Sequence, residues 1–112
     1  MPVSPLAPLA FPVLPDVRGV TLRVARARYK AWDRCDLTLV ELAPGTTVGG
    51  VTTRNICCSS EVETCRFGIA RGTARALVVN AGNSNAFTGA RGRSAVEALM
   101  AKAAAHIGCD PA

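Results

Sequence analysis

The fold is decided by residues 75–89, which read RALVVNAGNSNAFTG. The apolar run of residues 76–79 predicts a short buried strand. The polar loop that follows, residues 80–89, carries many amide groups, and these cost stability at the end of a core strand unless they are paired. A self-bonded loop in which asparagines close turns would pair them. The alternative is a rigid cradle of backbone N–H groups directed at a developing negative charge. The spacing leaves both open.

A predicted helix lies on each side of this strand and loop. The Ser-x-x-Glu pattern of a capping box occurs at residues 60–63 and again at residues 94–97. We expect the two helices to begin at these serines and to end at Gly72 and Gly108. The second helix carries one apolar stripe with helical spacing, made of Val96, Leu99, Met100, Ala103 and Ile107.

The upstream half of the chain reads as strands. Residues 19–29 predict an extended strand, and their even positions continue as a cationic stripe of Arg26, Arg28 and Lys30. Residues 36–42 carry apolar side chains on both faces, which predicts an interior strand. The β-branched residues 46–53 follow a Pro-Gly turn and predict the return strand of a hairpin. The fold class is therefore mixed α/β, a sheet layered with helices.

The N-terminal residues 1–18 predict a proline-rich extended arm before an α/β domain of residues 19–112. Phe11, Val13 and Leu14 of the arm are available to dock. Residues 1–15 contain no Lys or Arg and are broken by prolines, so we do not expect a signal peptide. No apolar run approaches the ~18 residues of a membrane span. We therefore expect a cytoplasmic protein without a membrane partner.

The composition leaves room for a binding module. The 112 residues carry a net charge of +5, and aromatic residues make up only 4%. Few aromatics argue against a base-stacking surface, and the charge equally fits an ordinary solvated surface rich in arginine. The cations that a small basic phosphate- or nucleic-acid-binding module would use are Arg26, Arg28, Lys30, Arg91 and Arg93.

The cysteines do not predict a disulfide framework or a metal site. Their number is odd, and no CxxC pair provides zinc ligands. We expect reduced thiols packed as small apolar side chains, and no metal. The five are Cys35, Cys57, Cys58, Cys65 and Cys109.

The loop also carries a resemblance to a known family. Residues 79–89, VNAGNSNAFTG, resemble the Asn-x-Gly-Asn-Ala-Asn-x-x-Thr-Gly signature of the ornithine acetyltransferase (bifunctional glutamate N-acetyltransferase) family, which acts in arginine biosynthesis. Ser84 stands where alanine is usual, and Thr52 stands where the family tends to place phenylalanine. Upstream segments agree in the same order: residues 29–30, 36–37, 43–47, 50–55 and 62–65.

The resemblance implies a self-cleaving enzyme that transfers an acetyl group from N-acetylornithine to glutamate. In this family the α chain, to which this sequence corresponds, supplies the oxyanion hole, here Thr88 and Gly89. The other loop residues, Asn80, Gly82, Asn83 and Asn85, would then shape the loop. The nucleophile is the N-terminal threonine of a β chain from the same precursor, and its own α-amino group can act as the base.

Several properties follow from the resemblance as expectations. The partners are the β chain, in an α2β2 heterotetramer, and the two amino-acid substrates, without nucleic acid. No cofactor is expected, and acetyl-CoA as a further acetyl donor is left open. No threonine of the chain stands in the family's cleavage context, so we expect an N-terminal part of the α chain that is inactive and poorly soluble alone. A non-catalytic scaffold descended from the family is a further alternative.

Overall fold

The computed structural model describes residues 4–82 and 84–111. The elements are β1 (Val20–Ala25), β2 (Leu37–Leu42), α1 (Ser60–Arg71), β3 (Ala76–Asn80) and α2 (Gly89–Ile107). This is the mixed α/β architecture that the sequence predicts.

The three strands form an antiparallel sheet in the order β1-β2-β3. The central position of β2 confirms the interior strand predicted from its apolar residues on both faces. Leu39 of β2 lies opposite Arg23 of β1 and Val78 of β3. Because side chains alternate along a strand, this register assigns every residue of the sheet to one of two faces.

The two faces of the sheet differ in how they are covered. Helix α2 packs against β3, and α1 packs against α2. The buried apolar residues of the described chain, Val96 and Ala104, both belong to α2, and Val96 confirms the predicted stripe. The opposite face carries apolar side chains that are between 49% and 67% exposed: Leu22, Val24, Leu77 and Val79. Strand β3 is therefore covered on one face only, not buried as predicted.

Both helices end at the predicted glycines, and α1 also begins at the predicted Ser60, whereas α2 begins earlier than predicted. Gly72 and Gly108 are the C-caps, with left-handed φ values of 74° and 70°. The N-caps are Ser59 and Thr88, and neither makes a side-chain capping hydrogen bond. Helix α2 starts five residues before the predicted Ser94, because the loop turns the chain into the helical direction at Thr88.

The predicted return strand at residues 46–53 is wrong. In this segment only Thr47 pairs, in an isolated bridge with Thr73. The reason lies in the sheet, since β2 is already paired with β1 along one edge and with β3 along the other. No free edge of β2 is left for a hairpin partner. The strand–strand turn that does form joins β1 to β2 through residues 26–36.

The predicted cationic stripe does not lie on a strand. Strand β1 ends at Ala25, and Arg28 adopts a left-handed φ of 58°. The carboxylate of Asp36 accepts hydrogen bonds from the N–H groups of Ala27 and Tyr29, at 2.5 and 2.9 Å. These bonds curl the backbone away from an extended path, so Arg26, Arg28 and Lys30 share a loop instead of a strand face.

The N-terminal arm and most of the cysteines are exposed. Residues 4–19 form neither helix nor strand, and Phe11, Val13 and Leu14 are exposed. The five cysteines are free thiols, but Cys35, Cys57 and Cys65 are exposed, so their predicted packing is wrong. These three lie in loops or on the outer side of α1, away from the layer between α2 and the sheet. The described helices include none long and apolar enough to cross a membrane.

Candidate active site

The polar loop starts from a fixed base at the end of β3. Asn80, the last residue of β3, lies opposite Leu37 of β2. The N–H of Ala81 donates to the carbonyl of Asp36 at 2.9 Å and extends the pairing by one residue. Gly82 then adopts a φ of +92°, which glycine tolerates. The sheet therefore sets the point from which the loop departs.

Gly82 also lies under the loop that joins β1 to β2. A Cβ at Gly82 would lie 2.9 Å from Trp32 Cζ3 and 3.1 Å from Lys30 Cγ. Asn83 lies outside the described residues. Ser84 is exposed, and its hydroxyl oxygen accepts a hydrogen bond of 3.4 Å from the N–H of Ala86.

Asn85 ties the loop to the start of α1. Its side-chain Nδ2 donates to Oε1 of Glu61, which lies in the first turn of α1. Among the described residues, the other carboxylate oxygen of Glu61, Oε2, is buried without a hydrogen-bond partner. The loop is thus held at two points, by the sheet at Asn80 and by α1 at Asn85. The sequence carries no signal for this contact, because the capping-box spacing at the start of α1 falls on Ser60 and Glu63.

The turn into α2 has the conformation of an anion-binding concavity. Phe87 and Gly89 have left-handed φ values of 59° and 57°, and Thr88 between them is right-handed, with φ −95° and ψ −5°. A right-handed residue followed by a left-handed one directs successive N–H groups toward one point, where they can bind an anion. The start of α2 adds its dipole to the same point.

The donors of this turn are open. No side chain caps the N-terminus of α2. Within residues 84–111, the backbone hydrogen bonds outside the helices include none from the N–H of Thr88 or Gly89. The hydroxyl of Thr88, in contrast, donates to the carbonyl of Asn85 at 2.7 Å. The backbone amides, rather than the hydroxyl, are the groups available to an incoming oxygen.

Thr88 and Gly89 line a surface depression of about 290 Å³. Its other wall is the start of α1 with the segment before it, including Cys57 and Cys58. Arg66 of α1 holds this segment by donating from Nε to Thr52 Oγ1 at 3.1 Å and from Nη2 to the carbonyl of Thr53. The structure therefore brings the two predicted oxyanion residues to one open cleft between α1 and α2.

The charges around the cleft are largely balanced. Arg93 of α2 lies 3.5 Å from the carboxylate of Glu63 of α1, and both residues line the depression. Within residues 4–82 and 84–111, no three His, Cys, Asp or Glu side chains lie close enough to hold a metal ion.

The structure gathers only part of the basic set that the binding-module alternative uses. Arg26, Arg28 and Lys30 border a second depression beside Trp32. Arg26 is paired there with Asp33, and Arg93 is engaged with Glu63. Arg91 and Arg93 belong to α2 and do not line that depression. The five cations therefore do not form one surface.

Asp36 is the carboxylate whose pKa clearly shifts. Its burial, with 3% of the residue exposed, raises the pKa, but hydrogen bonds from the N–H groups of Tyr29, Ala27 and Arg28 lower it. The net pKa of Asp36 lies below its ordinary value. Asp36 faces the loop of residues 26–35 and lies outside the cleft, so its role is to hold that loop.

Comparison with known families matches residues 21–112 to the model described as the ArgJ family. The chain belongs to the ArgJ family. This confirms the resemblance carried by the loop motif. Among curated ArgJ relatives, the arginine biosynthesis bifunctional protein ArgJ of Zymomonas mobilis is 56% identical over 107 residues, covering 96% of this chain and 26% of that protein. The ArgJ protein of Agrobacterium fabrum is 45% identical, with the same coverage of 96% and 26%.

A solved structure shares the fold. The ornithine acetyltransferase of Mycobacterium tuberculosis, crystallised with ornithine, superposes with a TM-score of 0.69 at 31% identity. The match covers 74% of this chain and 44% of that chain. The chain spans about a quarter of the length of the curated ArgJ relatives it matches.

Proposed function

We propose that the chain is the N-terminal part of the α chain of a self-cleaving acetyltransferase of arginine biosynthesis. The enzyme would transfer acetyl from N-acetylornithine to glutamate, and Thr88 and Gly89 would form its oxyanion hole. The observation that carries this proposal is the open Thr88–Gly89 turn beside the cleft, within a family whose members are bifunctional arginine biosynthesis proteins.

The chemistry of acetyl transfer explains why such a turn is needed. Attack of a hydroxyl on the acetyl carbonyl converts its oxygen into an oxyanion. Donors placed in advance at that oxygen stabilise the transition state more than the ground state. Gly89 adds no side chain to this turn, and nothing lies within 4 Å of the position that a Cβ would take.

The nucleophile is proposed to lie in the part of the relatives that this chain does not span. It would be the N-terminal threonine of the β chain, activated by its own α-amino group. The acetyl group would pass from N-acetylornithine to the threonine hydroxyl with release of ornithine. It would then pass to the amino group of glutamate, which frees the threonine. Asn80, Gly82, Asn83 and Asn85 would hold the loop, and the Asn85–Glu61 hydrogen bond supports that role for Asn85.

The uncovered face of the sheet supports the proposal that a partner chain packs against it. Its exposed apolar side chains, on β1 and β3, are the kind of surface that a second layer covers in a complete domain. We propose that the β chain contributes this layer, in an α2β2 assembly in the cytoplasm. No cofactor is proposed, and acetyl-CoA would serve as a second acetyl donor.

The decisive experiment compares the complete protein with this chain alone. The complete protein should transfer acetyl from N-acetylornithine to glutamate, and should cleave itself before a threonine. The isolated chain should do neither. Turnover by the isolated chain, or an inactive complete protein, would refute the proposal. Repeating the assay with acetyl-CoA in place of N-acetylornithine tests the second donor.

The same material tests the binding-module alternative. A phosphate binder should bind nucleic acid with an affinity that falls steeply as salt rises. The proposed enzyme should have little affinity to lose.

A further inference from the structure

Gly92 occupies a place where any side chain would collide with Thr88. It is buried in the first turns of α2. A Cβ at this position would lie 1.9 Å from Thr88 Oγ1, 3.0 Å from Thr88 Cβ and 3.4 Å from Asn85 Cβ. Approaches below 3.0 Å force atoms to move. The side chain of Thr88 therefore fills the space that a side chain at position 92 would need.

Backbone conformation does not explain this glycine. The positive φ values of the described glycines include that of Gly89 but not that of Gly92, which is helical. Glycine is also a weaker helix former than alanine. Gly89 is the opposite case, with a φ of 57° and nothing within 4 Å of a Cβ. The steric contact with Thr88 is therefore the feature that requires glycine at position 92.

The contact fixes the turn that carries the open amides. With Gly92 beneath it, the Thr88 side chain folds over α2 and its hydroxyl reaches the carbonyl of Asn85. Displacing that side chain would break this bond and rotate the Thr88–Gly89 peptide. We propose that Gly92 is a positioning residue for the oxyanion hole, and that it acts through Thr88. This inference rests on the proposed function of the Thr88–Gly89 turn.

A positioning role predicts a particular kinetic signature. The oxyanion forms in the transition state, whereas bound substrate makes its other contacts in the ground state. A misplaced hole should therefore lower kcat and leave KM nearly unchanged. A general loss of folded protein would instead lower the amount of active enzyme and its thermal stability.

The test uses Gly92→Ala in the complete protein, with Gly68→Ala as the matched control. Gly68 is a glycine of α1 with nothing within 4 Å of a Cβ. Gly92→Ala should lower kcat for acetyl transfer about 10- to 100-fold, a part of the loss expected when an oxyanion donor is removed. KM should change less than about twofold. Gly68→Ala should leave both constants near those of the wild type.

A double variant makes the coupling to Thr88 explicit. Thr88→Ala removes the oxygen that meets the new Cβ, so Gly92→Ala should cost at most about twofold in that background. Equal kcat losses in Gly92→Ala and Gly68→Ala, or the same loss in both backgrounds, would overturn the inference. If Gly92→Ala does not fold, the test compares the double variant with the single variant Thr88→Ala. Equal kcat in these two proteins supports the role of Gly92, and a lower kcat in the double variant overturns it.

The outcomes separate the inference from the proposed function. An active wild type that is insensitive to Gly92→Ala overturns only the inference. An inactive wild type overturns the proposed function and this role with it, because there is then no oxyanion to position.

Discussion

Two loops of this chain contain the same unusual backbone conformation, but only in one of them does a carboxylate bind the neighbouring N–H groups. The loop of residues 26–35 and the loop of residues 81–88 each contain a non-glycine residue in the left-handed region, Arg28 with φ 58° and Phe87 with φ 59°. Such a conformation costs an L-residue about 1–2 kcal/mol. Both loops therefore need surrounding contacts that hold the strained residue in place.

The two loops differ in whether a carboxylate of the chain binds their N–H groups. In the first loop the carboxylate of Asp36 accepts the N–H groups of Ala27 and Tyr29, on either side of Arg28. In the second loop the N–H groups after Phe87 have no side-chain cap. One such turn is closed by the chain's own carboxylate, whereas no side chain closes the other.

The largest expected effect is on the open turn. In the complete protein, Gly89→Pro should lower kcat at least about 100-fold. It deletes an N–H whose loss costs ~2.7–4 kcal/mol of transition-state stabilisation, and the proline ring cannot adopt the φ of 57° that shapes the turn. Ser84→Ala is the control, because Ser84 is exposed and receives only a 3.4 Å hydrogen bond from the N–H of Ala86. Similar activity losses in the two variants would mean that the loop has a structural role throughout.

The closed turn should be sensitive to pH. The pKa of Asp36 is lowered in the folded chain, so its carboxylate stabilises the fold fully above the unfolded pKa of about 3.9. That contribution is lost as the pH falls through the folded pKa. Asp36→Asn should lower the urea midpoint at pH 7 and flatten its fall below pH 4.

Asp33→Asn is the matched control for this prediction. Asp33 lies in the same loop, but its side chain is 91% exposed and pairs with Arg26 at the surface. An exposed pair of this kind contributes little to stability. If the urea midpoints of wild type and Asp36→Asn fall in parallel below pH 4, the carboxylate does not close the turn.

The contact between the two loops should have an intermediate effect. Gly82→Ala would bring a Cβ to 2.9 Å from Trp32 Cζ3 at a φ of +92°. We expect a destabilisation of about 2–4 kcal/mol in urea unfolding, from backbone strain and overpacking together. Gly45→Ala, with φ +81° and nothing within 4 Å, should show the strain alone, about 1–2 kcal/mol. If the two variants lose the same stability, Trp32 does not rest on Gly82.

The smallest effects test the strain itself. Arg28→Gly and Phe87→Gly should each raise the free energy of unfolding slightly, by less than about 1 kcal/mol. Glycine relieves the backbone strain of the folded chain, but it also increases the entropy of the unfolded chain, and the two effects nearly cancel. Urea unfolding of the two variants beside wild type measures this. A destabilisation above about 2 kcal/mol in either would indicate that the side chain, and not the backbone, holds that loop.

The sequence predicted the elements best where a signal is local. The central strand β2 followed from apolar residues on both faces, and the helix ends followed from Gly72 and Gly108. The start of α1 at Ser60 followed as well, but the start of α2 did not, because capping-box spacing also occurs inside a helix. Gly92 was missed for this reason: a helix begun at Ser94 leaves it in the loop.

Long-range pairing lay beyond the sequence. The β-branched residues 46–53 have the local preference of a strand, but β1 and β3 occupy both edges of β2. Likewise, nothing in the loop motif indicates that Asn85 reaches Glu61 or that Gly82 lies under Trp32. Each of these contacts joins residues that are far apart in the chain.

By itself, the sequence determined the mixed fold class, the family through its loop motif, and the positions of Thr88 and Gly89. These depend on local patterns of apolar, polar and glycine residues, which are visible without coordinates. Only the tertiary structure decided which strands pair, that Asp36 closes one turn, and that the amides of the other turn stay open beside a cleft. These outcomes depend on which distant groups meet in space, because a hydrogen bond or a steric contact exists only when both partners have been brought together.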